Sequence, residues 1–170
     1  NNAALSGIAT VGSVVAAGAA AWFLAAGTGQ AATGGPLVEF GGELVVDGAS
    51  LLFTVVFASV TALVAVASFD YVREERYVAE YYALVLLAAT GMSLRASANS
   101  LATGFVALEL ASLPSYALVA YLKDNRGSVE AGLKYFLVGA LSSAVLAYGI
   151  SLVFAATGSL QFPAVAAALG

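Results

Sequence analysis

Five apolar runs, each close to the roughly 20 residues that cross a 30 Å hydrocarbon core, constrain this chain more than anything else in it. They fall at about Leu5–Ala26, Ser50–Phe69, Val78–Ala98, Leu101–Leu122 and Lys134–Thr157. Lipid offers no water to a backbone amide, so a spanning segment is a helix or part of a closed barrel. The period-2 alternation of barrel strands is missing here, which leaves helices. Composition agrees. The 170 residues are 61% hydrophobic and only 9% charged, where an average protein carries about 25% charged residues. A soluble domain could not cover its outside with so few charges. The expected fold class is an all-α membrane protein, a bundle of about five transmembrane helices forming one membrane domain over residues 1–170.

Loop signals separate the runs. Gly27-Thr28-Gly29 and Gly34-Gly35-Pro36 break the first long connection, Asp124-Asn125-Arg126-Gly127 is a polar turn, and Gly158-Ser159 closes the fifth run. Five alternating spans put Arg73, Arg76, Lys123 and Arg126 on one side together with the N-terminus. The other side holds Glu39, Glu43 and Asp47 of the first loop, with Arg95 the one basic residue near it. The positive-inside rule then predicts that the basic loops and the N-terminus face the cytoplasm, in a multi-pass arrangement in the cell (inner) membrane. An even number of spans would destroy this separation. Asn1 in place of Met, and a first run without a basic flank, predict that the chain starts inside a longer protein rather than with a signal peptide.

The chain contains no Cys and no His. That excludes thiolate clusters, disulfides, zinc sites with Cys or His ligands and histidine-ligated haem within it. A net charge of −4 with six scattered basic residues gives no footprint for nucleic acid. Phosphate-binding and dinucleotide fingerprints are missing too, because Gly27-x-Gly29 is only loop punctuation.

One carboxylate stands inside an apolar run. Glu109 lies within roughly 5 Å of the bilayer centre, given 1.5 Å of rise per residue. A charge at that depth costs about 2.5–3.5 kcal/mol on insertion scales, and such residues mark ion or proton pathways. Loss of water favours the neutral acid unless a cation is close. The alternative is a permanently protonated Glu109 bonded to a neighbouring helix. Pro114 follows on the same helix and removes the hydrogen bond to the carbonyl of Leu110, beside Glu109. Two readings stay open for it: a freed carbonyl that admits water next to the acid, or an ordinary kink re-satisfied by neighbours. Ser112, one turn from Glu109, adds a hydroxyl, and Ser115 another.

Lys134 opens the fifth span and is expected to snorkel toward the basic side. It differs from Glu109 in depth by roughly 10 Å, which argues against a direct ion pair and leaves room for a water-linked relay. Arg95 reads as an anchor at the opposite interface. Tyr77, Glu80, Tyr81 and Tyr82 read as an interfacial belt. Gly139, Ser143, Ala147 and Ser151 recur every fourth residue, a small-residue stripe whose expected role is close helix packing.

Several of these elements occur together in a known family. Ala98-Asn99-Ser100-Leu101, Leu108-Glu109-Leu110-Ala111-Ser112-Leu113-Pro114 and Glu130-Ala131-Gly132-Leu133-Lys134-Tyr135-Phe136 appear in order, followed by Gly139-Ala140-Leu141-Ser142-Ser143-Ala144, Tyr148-Gly149-Ile150 and Ala156-Thr157-Gly158. With Val46-Asp47-Gly48 before the second span, this set resembles subunit N of the proton-translocating NADH-quinone oxidoreductases (respiratory complex I). That subunit is one of the antiporter-like membrane subunits, a group that includes the multisubunit cation/proton antiporters. The resemblance covers nearly the whole chain but only part of the family's fold, which has about fourteen helices in two inverted repeats. This chain looks like helices two to six.

The resemblance implies a membrane subunit that couples quinone reduction to proton pumping, with Glu109 and Lys134 on the proton pathway. It implies that Glu109's main lysine partner lies on the next helix, beyond Gly170. Quinone, NADH, flavin and iron–sulfur clusters are expected in partner subunits of the complex, none in this chain. The electron donor is NADH or another reduced cofactor. The expected partners are the other membrane subunits and the lipid bilayer. The alternative is a subunit of a multisubunit cation/proton antiporter without a redox partner.

Overall fold

The structure is a computed structural model and describes residues 2–28 and 35–170. Gly29 and Gly34 of the first loop lie outside the described residues. Five long helices dominate: α1 (Asn2–Ala25), α2 (Gly48–Ala67), α4 (Val78–Ala96), α5 (Leu101–Val119) and α6 (Arg126–Thr157). A short antiparallel hairpin, β1 (Leu37–Glu39) and β2 (Leu44–Val46), precedes α2. The short helices α3 (Phe69–Val72) and α7 (Phe162–Leu169) complete the described elements.

α1, α2, α5 and α6 are long and apolar enough to cross a membrane. α4, at 19 residues, is long enough but less apolar, with Glu80 in its first turn and Arg95 in its last. It packs against α1, α2 and α5, so its polar ends cost less than they would on a helix surrounded by lipid. The chain is an all-α, multi-pass membrane protein.

Helix ends differ from the spans expected of the sequence. α1 and α2 each start and stop a few residues earlier. Asp47 and Ser50 form a reciprocal capping box that fixes the start of α2 at Gly48: Ser50 N donates to Asp47 Oδ1 at 2.7 Å and Asp47 N to Ser50 Oγ at 2.9 Å. α6 begins at Arg126, about two turns before the membrane span that Lys134 opens, because the Asn125 side chain accepts from the amides of Gly127 and Ser128. It runs for 32 residues and ends where Gly158 turns left-handed, at φ 71°.

The interior is built from small residues. Ser6, Ala9, Ser13 and Ala20 of α1 are buried, as are Ala58, Thr61, Ala62 and Ala65 of α2. Trp22, Leu63, Val138 and Leu141 point outward instead. Lipid tails are as apolar as leucine, so apolar burial drives no association, and helices gain by approaching closely. The α4–α5 contact is one example, backbone against backbone. A Cβ on Gly91 would stand 2.5 Å from the Ala111 nitrogen and 2.7 Å from the Leu110 carbonyl carbon.

The loops sort into two ends. At one end Asn2 Nδ2 donates to Arg73 O at 2.8 Å, and the Lys123 ammonium lies 3.7 Å from the centre of the Tyr77 ring. Thus the N-terminus of α1, the α3–α4 loop and the α5–α6 loop gather together. At the other end the hairpin, the α4–α5 turn and the α6–α7 turn are hydrogen-bonded to one another.

The tyrosine belt needs correction. Tyr82 is buried, with its hydroxyl on Ala65 O at 3.3 Å, and Tyr81 packs edge-on against Tyr82 and Tyr121. Tyr81 also bonds Ser68 Oγ at 2.8 Å. Tyr82 belongs to the core and half-buried Tyr81 packs against it, since neighbouring segments supply partners for their hydroxyls.

Replacing Gly91 with valine in the full-length subunit should destabilise the α4–α5 contact by about 1–3 kcal/mol, the usual cost of overpacking. Unfolding in detergent measures this, and wild-type stability would contradict the close approach.

Candidate functional site

Glu109 sits one residue short of the midpoint of α5 and is half-buried. Its carboxylate Oε1 accepts a hydrogen bond from Ser143 Oγ of α6. Among the described residues it has no ion-pair partner. The acid therefore faces α6 and is met there by a neutral donor.

The α5–α6 seam places that donor. Gly132, Gly139 and Ser143 lie on nearly one face of α6, because seven residues return to within roughly 20° and four to within roughly 40°. Gly132 meets Ala120, and a Cβ on Gly139 would overlap the Tyr116 hydroxyl and come within 2.5 Å of its ring carbon Cζ. Tyr116 is itself packed edge-on by Tyr135 and Phe136, with ring centroids at 4.7 and 6.0 Å. The stripe does serve helix packing at Gly139. At Ser143, however, it supplies a polar contact to the one carboxylate in the seam. Sequence reading treated Ser143 as packing only. The signal available was its polarity on a stripe otherwise suited to glycine and alanine. Ala147 and Ser151, further along the stripe, are exposed.

Pro114 is buried inside α5, which continues unbroken past it. The peptide it leaves short of a donor, Leu110–Ala111, is the one that Gly91 of α4 covers. Backbone packing, rather than open space, occupies that side of the helix. Ser115 Oγ donates to Ala111 O at 2.8 Å, and Ser112 Oγ to Glu109 O at 3.4 Å. Ser112 thus reaches the backbone of Glu109 and not its carboxylate.

Lys134 is not brought to Glu109. It lies roughly 140° around α6 from Gly139, with its side chain 72% exposed. Its ammonium pairs with Glu130 Oε1 at 2.5 Å, one turn earlier on the same helix. Lys134 lies on the side of α6 opposite Ser143, the residue that meets Glu109.

A second polar cluster lies at the end remote from the basic loops. Glu43 accepts from Ser100 Oγ and from Thr103 Oγ1, the latter at 2.7 Å. Asn99 Nδ2 donates to Gly42 O at 2.8 Å, and Gln161 Nε2 to Gly41 O at 3.2 Å. Asn99 N bonds Glu43 O, and Leu101 N bonds Leu160 O. The hydroxyls of Ser100 and Thr103, and then the Gln161 side chain, hold the Glu43 carboxyl below its ordinary value; partial burial opposes them. The sequence signal for this knot was weak, since Glu43 reads as one more loop acid. Arg95, the expected interfacial anchor, donates to Gly104 O at 2.6 Å and ties the end of α4 to the start of α5.

The family described as "NADH:quinone oxidoreductase/Mrp antiporter, TM" matches residues 98–169, the stretch that carries both Glu109 and Ser143. Over that stretch the chain is similar to the membrane subunits that this family groups together. NADH-quinone oxidoreductase subunit N of Dehalococcoides mccartyi is 45% identical over 124 residues, 72% of this chain and 25% of that protein. F(420)H(2) dehydrogenase subunit N of Methanosarcina mazei is 41% identical over 127 residues, 75% of this chain and 26% of that one. Among solved structures, a chain of respiratory complex I from Thermus thermophilus superposes with a TM-score of 0.74 at 35% identity, over 99% of this chain and 36% of that one. The chain therefore spans about a quarter to a third of the relatives it matches.

The lowered Glu43 gives a pH dependence with a definite sign. A carboxylate bound more tightly in its charged form stabilises the fold above its ordinary value of 4.5, and that contribution is lost as pH falls through the lower folded value. Glu43→Gln should remove this part of the acid sensitivity, because an amide carries no titrating carboxyl for Ser100 and Thr103 to hold in its charged form. Acid-unfolding profiles of the two proteins test it, and identical profiles below pH 4.5 would count against the knot.

Proposed function

We propose that this chain is part of a membrane subunit that moves protons within a quinone-reducing respiratory complex, and that Glu109 carries protons in it. The observation behind this is a carboxylate at mid-membrane depth, held by a hydroxyl and not by a cation. Such a group exchanges a proton without first breaking an ion pair. The two subunit-N relatives belong to complexes named for oxidation of NADH and of F(420)H(2), so the electron donor of this protein's complex is a reduced nicotinamide or deazaflavin type of cofactor. Flavin, iron–sulfur clusters and the quinone site belong to partner subunits. Lys134 belongs to the same pathway on its other side: its pairing with Glu130 is broken and remade as the neighbouring part of the subunit changes its charge. Pro114 and Ser112 support Glu109 through the backbone of α5.

A second reading, a subunit of a cation/proton antiporter without redox partners, is favoured by one observation: the matching family description covers both kinds of protein. Genes for iron–sulfur subunits next to this one would decide for the oxidoreductase.

The end that bears Arg73, Arg76, Lys123 and Arg126 faces the cytoplasm in this reading, in the cell membrane. Single cysteines at exposed Asn125 and exposed Phe40, in a cysteine-free background, should be labelled from opposite sides of the membrane, Asn125 from the cytoplasm. Labelling in the reverse sense would overturn the orientation.

Glu109→Gln in the intact complex should lower coupled proton translocation several-fold while the complex assembles in normal amounts. Full translocation at normal assembly would sink the reading.

A further inference from the structure

We infer that the seam between α5 and α6 is a hydroxyl proton relay, in which Ser143 and Tyr116 connect Glu109 toward the basic end of the bundle. This rests on the proton-handling reading of Glu109 and assigns positioning and relay roles to two residues outside it.

Three observations carry the inference. Ser143 Oγ is hydrogen-bonded to the Glu109 carboxylate. Tyr116 lies seven residues after Glu109 on α5, which returns it to within roughly 20° of the same face and about 10 Å further along. Side chains on a helix lean toward its N-terminus, so the Tyr116 ring reaches back toward Glu109. Its hydroxyl meets α6 at Gly139, where any side chain would overlap it, one turn before Ser143. The ring is clamped by Tyr135 and Phe136, and the hydroxyl has no protein hydrogen-bond partner among the described residues. About 6 Å of helix separates Gly139 from Ser143, an interval that one water spans with two hydrogen bonds of about 2.8 Å.

The transfer is a chain of hops. A proton arriving on the Tyr116 oxygen displaces the phenol's own proton to the water, the water passes one to Ser143 Oγ, and Ser143 releases its hydroxyl proton to the Glu109 carboxylate. One proton moves in net, each hydroxyl ends with the proton count it began with, and no electron changes place. Reversal of the bonds resets the path.

A purely structural Tyr116 would fill space, a role phenylalanine keeps. Tyr116→Phe in the intact complex should therefore assemble normally and lose coupled proton translocation several-fold. Ser143→Ala should do the same, and Ser143→Thr, which restores a hydroxyl on the same carbon, should recover most of it. Normal translocation in Tyr116→Phe, or failure of Ser143→Thr to improve on Ser143→Ala, overturns the relay. Glu109→Gln, measured alongside, separates the two levels. If it too is fully active, the proton-handling reading has failed. If it is inactive while Tyr116→Phe and Ser143→Ala are active, only the relay has.

Discussion

Close helix approach through small residues is the constraint on which the remaining features depend. In hydrocarbon, a helix gains little by covering its leucines, and gains mainly where backbones come near enough for dispersion and for polar contacts to act. The chain uses this in three places. Serine and alanine line α1 against α2, Gly91 lies on the α5 backbone, and Gly139 gives way to Tyr116. The last of these sets the distance between α5 and α6, and so brings a short side chain such as Ser143 onto Glu109. A bulkier residue at Gly139 would part the helices and leave the acid in lipid without a donor.

The two ends of the bundle are secured by different physics. At the basic end, tyrosine rings and a cation over an aromatic face hold loops that water also solvates. At the other end, amides and hydroxyls converge on a carboxylate and on glycine carbonyls, joining three loops distant in sequence. Charge-assisted bonds of this kind are the stronger type. They fix where α5 begins and where α6 ends, and therefore the register in which Ser143 meets Glu109.

Much of this was legible in the sequence. Apolar run length marks the helices, and a lone Glu109 in such a run marks the candidate site, because both signals lie along one segment. What a single segment does not carry is the rotation of one helix against another. That is why Ser143 reads as packing in the sequence, why a relay between Lys134 and Glu109 stays open there, and why Tyr81 and Tyr82 read as a belt although Tyr82 is buried and Tyr81 packs against it. The Glu43 knot joins residues more than fifty positions apart, and loop acids offer no periodic pattern from which to read it.

The small-residue stripe on α6 is covered at Gly139 and Ser143 and uncovered at Ala147 and Ser151. α5 and α6 are thus packed together from Gly132 to Ser143, leave Ala147 and Ser151 uncovered, and are joined again at the hairpin end, where Leu101 N bonds Leu160 O. Glu109 stands where the packed part of this seam gives way to an uncovered stretch of α6. Its hydroxyl partner comes from the last covered position of the stripe, so a shift of α6 by a single turn would put Gly139 or Ala147 in the place of Ser143 and leave the carboxylate without that donor.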